Sequence, residues 1–496
     1  MNPILAISPI WITALLGIVV LMLDALSPKE GGRGFLGYVS AGGMALIALW
    51  TAWLWKGHVQ LDSGFLSGML QVDTFGMFFT EIVFLTGIGA AVVAADHMVQ
   101  QHSNHGEVFG LLVLSATGMI VFITAIDLIV MFLGLETMSL AIYAMAASKQ
   151  HSSKSTEAGL KYFVLGGLAS AFLLFGTAML YGVTGSTNLQ TIARYYSVNP
   201  ADMAFVLYLA GLAFILVGLG FKIAAVPFHF WTPDVYQGAP TPITMWMAGA
   251  VKAAGFAVFA RVVLTLVHPE PVMHLKYAPM GIVLILALLT MTYGNIVGIV
   301  QDDVKRILAY SSIAHAGYLL LGVYAVGPEG LLKPSVVFYL LTYALATVGA
   351  FGVISLVGGD DNEDLSLDRM AGFGRNHPLL GLLLMVSVLS LAGIPPFAGF
   401  TAKFYLFKEV LEADPRGNLP YVIFAVVNSL IALYYYLRIV VAIYMEPQQR
   451  DDKTYASIAT YIAVGVAVAG ILVFGLIPSP LMVLARHAVA FSVLAL

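Results

Sequence analysis

The 496-residue sequence contains no cysteine. A disulfide, an iron–sulfur cluster, a thiolate zinc site and a cysteine nucleophile are therefore excluded from this chain. Charge is scarce too: Asp, Glu, Lys and Arg together make up 10% of residues, and the net charge is -4. No basic block exists that would hold nucleic acid, so nucleic acid is not an expected partner. No Gly-x-Gly-x-x-Gly fingerprint precedes a strand, which leaves NAD and flavin binding without support. His97, His102 and His105 lie close together. Without cysteine or a firm ligand spacing they are expected to be solvated, and no metal site is expected. The N-terminus lacks a positive segment and a small-residue cleavage site before Asp24, so its first apolar run reads as a retained helix.

What is present in excess is apolar surface. Hydrophobic residues make up 60% of the chain, and the mean hydropathy is +0.91. That balance places the chain among all-α polytopic membrane proteins. Runs long enough to span a bilayer fall at 7–26, 35–55, 74–95, 107–124, 127–147, 157–182, 203–226, 241–266, 277–298, 304–326, 334–357, 377–412, 419–444 and 457–477. They predict about fourteen transmembrane helices, with an apolar tail from Leu481 that lies flat or docks. The one notable charged loop, with Asp360, Asp361, Glu363, Asp364, Asp368 and Arg369, reads as a solvated connection. Counting loop lysines and arginines, ten of one side (Lys29, Arg33, Lys149, Lys154, Lys305, Arg306, Arg369, Arg375, Arg450, Lys453) stand against six of the other (Lys56, Arg194, Lys276, Lys333, Arg416, Arg486). The excess favours both termini outside.

The chain is organised around Gly220 to Pro242, in which an apolar helix meets Lys222 and then Pro227, Pro233, Pro240 and Pro242. Proline removes a backbone donor and clashes with the preceding turn, so the helix is expected to break. The run 377–412, too long for one straight crossing, contains Gly393-Ile394-Pro395-Pro396 and predicts a second break. Each break is followed by one unbroken helix, and the broken helices are the seventh and twelfth, five places apart, so they run in opposite directions, which predicts an inverted repeat. The expected organisation is N-terminal helices in 1–106, a first five-helix repeat in 107–266 with its break near 227–240, and a second in 277–444 with its break near 393–399. A last helix and tail occupy 457–496. The sequence match between repeats is thin: Val-Pro-Phe at 226–228 against Pro-Pro-Phe at 395–397.

An ionisable side chain at a helix centre in a membrane costs about 2.5–3.5 kcal/mol, so such residues usually face the bundle interior and serve a pathway. Glu136 lies about 14 Å into its helix at 1.5 Å per residue, and Lys252 is at similar depth. Lys222 and Lys403 adjoin the two breaks. Lys161, one turn inside its helix, can reach toward Glu136 or the surface. His229 follows the first break, and His315 sits mid-helix near Tyr310, Ser311, Ser312 and Tyr318. Burial disfavours a charged group while a neighbouring opposite charge restores it, so a lysine held between the two can change protonation as a partner moves. Blander readings stand beside this one. Glu136 with one lysine also describes a static buried ion pair, and His229 and His315 also suit packing. Lys305 and Arg306 read as an interfacial anchor, and Glu81, Asp127, Arg261, Lys408 and Arg438 as interfacial. Phe228, Phe230, Trp231 and Tyr434-Tyr435-Tyr436 read as packing or interfacial aromatics.

The wording Trp-Thr-Pro-Asp-Val-Tyr-Gln-Gly-Ala-Pro-Thr-Pro at 231–242, with Lys222 upstream and Val-Lys-Ala-Ala-Gly-Phe at 251–256, resembles the antiporter-like subunits of respiratory complex I, the NADH-quinone oxidoreductase. Further matches are 306–320 (R-I-L-A-Y-S-S-I-A-H-A-G-Y-L-L) and 391–407 (L-A-G-I-P-P-F-A-G-F-T-A-K-F-Y-L-F), so the resemblance spans nearly the whole chain. It implies fourteen helices, two inverted five-helix repeats and an embedded proton channel. It further implies that Glu136 and Lys222 are a coupling pair, Lys252 the central relay, Lys403 the outlet-side lysine and Lys161 the family's additional lysine. The implied partners are other antiporter-like and small hydrophobic membrane subunits, lipids and protons, in a bacterial inner membrane. NADH oxidation, flavin, iron–sulfur clusters and the quinone site would belong to other subunits, with no cofactor in this chain. A long lateral C-terminal helix and a glutamate in place of Lys403, found in some branches of the family, are both missing here. The competing classes are a subunit of a multisubunit Na+/H+ antiporter and a passive scaffold.

Overall fold

The computed structural model describes residues 3–28, 32–56, 68–101, 104–149, 152–198, 205–266, 278–326, 332–357, 365–447 and 456–490. Its first half comprises α1 (Ser8–Leu26), α2 (Phe35–Lys56), α3 (Thr74–Gln100), α4 (Glu107–Thr124), α5 (Leu128–Ala146), α6 (Ser153–Thr184) and α7 (Phe205–Lys222). A short α8 (Trp231–Gly238) leads into α9 (Thr241–Leu266). The second half comprises α10 (Ala278–Ile299), α11 (Val304–Tyr324), α12 (Pro334–Ile354), α13 (Pro378–Ala392), α14 (Ala398–Ala413), α15 (Leu419–Met445), α16 (Ile458–Leu476) and α17 (Ser479–Ala490). Among the described residues thirteen helices are long and apolar enough to cross a membrane. α13 and α14 are the two short halves of a broken crossing. The chain is a multi-pass membrane protein.

In lipid every backbone group must be satisfied within the segment, which is why the apolar runs are helices throughout. Their starts are marked by side chains that accept the free backbone N–H groups: Asp73 for α3, Asp127 for α5, Ser152 for α6, Asp303 for α11 and Ser457 for α16. Burial sorts the helices into an inner and an outer set. The spanning windows of α9, α11 and α12 are each 94% buried, against 22% for α1 and 28% for α16. The inner helices carry buried hydroxyls together with Lys252, Arg261 and Lys305, which lipid would penalise.

Both predicted breaks are present. α7 stops at Lys222, four residues earlier than the run of apolar letters suggests, and residues 223–230 are not helical. Pro227 has no N–H to continue the ladder, and Ala224 takes a left-handed conformation (φ 60°). The eight residues of α8, unforeseen from hydropathy, fill the gap before α9. Gly238 closes that helix against α6 so tightly that a Cβ there would stand 2.3 Å from the Lys154 carbonyl oxygen. Gly238→Ala is therefore expected to cost about 1–3 kcal/mol, read as a lower thermal midpoint of the assembled complex.

The tail docks rather than lying free: Leu481, Met482, Ala485, Ala488 and Val489 of α17 are buried, and Thr74 Oγ1 donates to the carbonyls of His487 and Ala488. Lys29, His102, Lys276, Asp360, Asp361, Glu363, Asp364, Arg450 and Lys453 lie outside the described residues.

Candidate functional site

Lys222, the last residue of α7, is 4% exposed. Its Nζ donates to Ser139 Oγ on α5 at 2.9 Å and to Tyr162 Oη on α6 at 3.2 Å. Trp231, opening α8, lies parallel on the Tyr162 ring with centroids 4.4 Å apart, and its Nε1 donates to the Phe221 carbonyl at 3.0 Å. The break is thus closed by an aromatic sandwich over the lysine. Glu136 accepts from Ser170 Oγ on α6 and makes no direct ion pair with Lys222 among the described residues. The static-pair reading of these two is corrected: α5 points Ser139, three residues further along, at the lysine instead. Lys161 reaches neither Glu136 nor Lys222. Its Nζ pairs with Glu157 and with Asp234 of α8, both at 2.6 Å.

The middle of the row is built on α11. A π-helical turn, Met247–Val251, directly precedes Lys252 in α9. Such a turn resets the direction of the following side chain. Lys252 Nζ donates to both the carbonyl and the hydroxyl of Ser312 and lies 5.3 Å from the Tyr343 ring centroid. One turn along, His315 Nδ1 meets Tyr339 Oη at 2.7 Å and Nε2 meets Tyr436 Oη at 3.0 Å. Ser311 bonds the same Tyr436 hydroxyl. One turn further, the Tyr318 ring lies 5.2 Å from Lys403 Nζ. Ser312, His315 and Tyr318 thus share one face of α11 by their spacing of three.

Lys403 sits in the second break. Gly393, at φ 87°, ends α13, and Lys403 of α14 turns its Nζ onto the last carbonyls, Leu391 at 3.3 Å and Ala392 at 2.9 Å, and onto Ser429 Oγ at 3.0 Å. A cation is favoured there because unpaired carbonyls end the helix. Gly399 lets α14 start close by, since a Cβ would stand 1.8 Å from the Ser390 carbonyl. Between His315 and this break, a cavity lined by Tyr339, Thr342, Tyr343, Ser390 and Gly399 leaves about 10 Å³ for a solvent centre, room for one water.

Lys222, Lys252 and Lys403 are all buried, the first met by two hydroxyls and the other two by hydroxyl and carbonyl oxygens, with no carboxylate in bonding distance among the described residues. A hydroxyl can accept from an ammonium or donate to an amine, so such a shell serves both protonation states. His229 is buried beside Tyr293, 4.4 Å between centroids, apart from the lysine shells.

Several sequence expectations are corrected. Arg261 is buried, not interfacial: its guanidinium forms two bonds to Asp73, 3.0 and 3.1 Å. Lys305 is 1% exposed and donates to the Ala239 carbonyl at 2.6 Å behind α8. His97 is buried, facing the Ser355 carbonyl at 3.1 Å, while His105 faces Glu107. Asp127, by contrast, stands partly exposed at the start of α5, which it caps, and accepts from Thr187 Oγ1 at 2.5 Å. Tyr435 and Tyr436 are buried hydrogen-bonding residues, while Tyr434 is exposed. Sequence reasoning missed Ser139, Tyr162, Tyr339 and Tyr436, whose hydroxyls sit in apolar runs without a charge to mark them. It also passed over Asp234, although the motif spells it out. Burial pushes the Asp234 carboxyl up, but its bonds from Lys161 and Arg306 outweigh that and hold it below the usual carboxylate range.

Residues 125–432, which hold both breaks and Lys222, Lys252 and Lys403, match the family profile described as "NADH:quinone oxidoreductase/Mrp antiporter, TM". The chain belongs to that family. Within it the chain is 40% identical to the NADH-quinone oxidoreductase subunit N of Trichlorobacter lovleyi over 490 residues, covering 97% of this chain and 96% of that relative. It is 39% identical to subunit N 1 of Sorangium cellulosum, covering 99% of each. Among solved structures, a chain of respiratory complex I from Thermus thermophilus with bound aureothin aligns with a TM-score of 0.78 at 34% identity, over 96% of this chain and 98% of that one. A chain of the Mrp complex from a Dietzia species shares the fold, with a TM-score of 0.82 at 21% identity over 98% of this chain and 97% of that one. The antiporter-like architecture of this family is therefore that of the present chain, with the subunit N group as its near relatives.

Proposed function

We propose that this chain is a proton-translocating membrane subunit of an NADH-quinone oxidoreductase, moving protons through the row Lys222, Lys252, His315 and Lys403 while electrons pass in other subunits. The observation that carries the reading is the row itself: three lysines and a histidine, all buried and spaced across the membrane-spanning bundle on α7, α9, α11 and α14, in shells of neutral oxygen. A purely structural role would call for paired charges, since an unpaired buried cation is costly. Glu136, on the outer side of the first lysine shell, is the movable electrostatic influence on Lys222. Ser139 and Tyr162, then Ser312, then Tyr339 and Tyr436 bridge the steps, with water in the cavity beside His315.

The reading includes two inverted repeats, 107–266 and 277–444. It is supported by matching starts. Asp127 and Asp303 each cap a helix, and each is bridged to a later loop residue, Asn188 and Ser366. In each repeat a broken helix follows, with a lysine at the break. Flavin, iron–sulfur clusters and quinone would be held by other subunits, so this chain is a non-redox component. Its neighbours would be antiporter-like and small hydrophobic subunits in a bacterial inner membrane, with both termini periplasmic.

Lys222→Ala is expected to give an assembled complex, checked by native gel, with NADH-driven proton uptake in vesicles reduced about tenfold or more, and Glu136→Gln a smaller loss of the same kind. Full uptake in assembled Lys222→Ala would favour a passive scaffold. Sodium exchange persisting without the NADH dehydrogenase subunits would favour a cation/proton antiporter.

A further inference from the structure

Asp234 stands where three segments meet. Its Oδ2 accepts from Lys161 on α6 at 2.6 Å and its Oδ1 from Arg306 on α11 at 2.8 Å, while Asp234 itself belongs to α8. Both cations are held from behind: Lys161 by Glu157 at 2.6 Å, Arg306 by Gln237 Oε1 at 3.1 Å and Gln301 Oε1 at 3.0 Å. Gln237 in turn donates to Asp303, the cap of α11, at 3.0 Å. One carboxylate is therefore divided between a cation of each half of the chain.

A helix of eight residues does not hold itself, so what it touches decides where α8 lies. Three residues before Asp234, and so on the same side of α8, Trp231 lies flat on Tyr162, whose hydroxyl takes the hydrogen bond from Lys222. A shift of Asp234 toward either cation carries Trp231 with it and changes the oxygen presented to Lys222. The side chains are partly exposed, at 41% for Lys161, 36% for Asp234 and 27% for Arg306, and ion pairs so exposed contribute little to stability. A role in placement accounts for the convergence better than a role in holding the fold.

We infer that Asp234 is a positioning residue for proton transfer: a two-cation tie between α6 and α11 that sets α8, and through Trp231 and Tyr162 the donor geometry of Lys222. The inference rests on the proton-transfer reading of Lys222. It is tested in the whole complex, in vesicles where NADH oxidation and proton uptake are followed together. Asp234→Asn keeps the shape and removes the charge. It is expected to assemble normally and to lower protons taken up per NADH about tenfold, the scale of a small misplacement at a reacting group. Asp234→Glu should restore most of the ratio, and adding Arg306→Met to Asp234→Asn should cause no further loss. A tie that served only the fold would lower the amount of complex while each assembled copy kept its ratio. An assembled Asp234→Asn complex with the unaltered ratio overturns the inference. Should that variant not assemble, Arg306→Met, which leaves Asp234 on Lys161, is read the same way, and an unaltered ratio there overturns it. Lys222→Ala run alongside separates the two ideas: a full ratio in Lys222→Ala removes the underlying reading, while a lost ratio there with normal Asp234→Asn removes only the role of Asp234.

Discussion

Lys252→Met is expected to leave a complex that assembles and barely moves protons. Methionine matches the length of the lysine stem and suits an apolar surrounding, so the packing of α9 is kept. What vanishes is the lysine between the Lys222 shell and His315 in the proposed row, and proton transfer by a positioned side chain is worth about a hundredfold or more in rate. The Ser312 carbonyl and hydroxyl lose their donor, a loss of about 1–3 kcal/mol for a buried acceptor left unmet. Stability is therefore followed in the same preparation, so that a modest drop in thermal midpoint is not mistaken for the functional effect. NADH-driven uptake in vesicles is the readout. Uptake at the wild-type rate with Lys252→Met in place would mean that protons do not pass this way.

The largest stability effect is expected at a residue far from the lysine row. Arg261 and Asp73 bind each other through two nitrogens and two oxygens, with side chains only 3% and 5% exposed. Asp73 also caps α3 by accepting from the Gly76 N–H at 2.7 Å. Arg261→Met strands a buried carboxylate, which costs about 3–5 kcal/mol, a large share of a total stability of about 5–15 kcal/mol. The yield of assembled complex should fall steeply. Adding Asp73→Asn removes the stranded charge and should recover part of the yield, since an amide oxygen still caps the helix. A double variant as poor as Arg261→Met alone would show that the cost lies in shape, not in the unpaired charge.

These two cases mark what hydropathy can and cannot convey. Arg261 is one letter in an apolar run, and nothing around it distinguishes a residue that snorkels to the surface from one that meets Asp73, 188 residues away. Lys305 was likewise read as an anchor beside Asp302 and Asp303, yet it turns inward to the Ala239 carbonyl. The family resemblance implies Glu136 and Lys222 as a pair, and the charge alone suits Glu136 to an ion pair with one lysine, but in the fold Glu136 takes Ser170 and Lys222 takes Ser139. Of the two tyrosines that bond His315, Tyr436 reads as packing and Tyr339 passes unmarked, because a hydroxyl adds little to the apolar character of its ring.

The membrane class, the near count of crossings, the two breaks and the family motifs follow from the sequence alone, because each depends on local chemistry. Apolar length sets a span, and proline or glycine ends a helix wherever it occurs. The partner of each buried charge was decided only in three dimensions. A helix apolar on every side carries no periodicity to say which face turns inward, so the choice falls to packing between residues far apart in the chain.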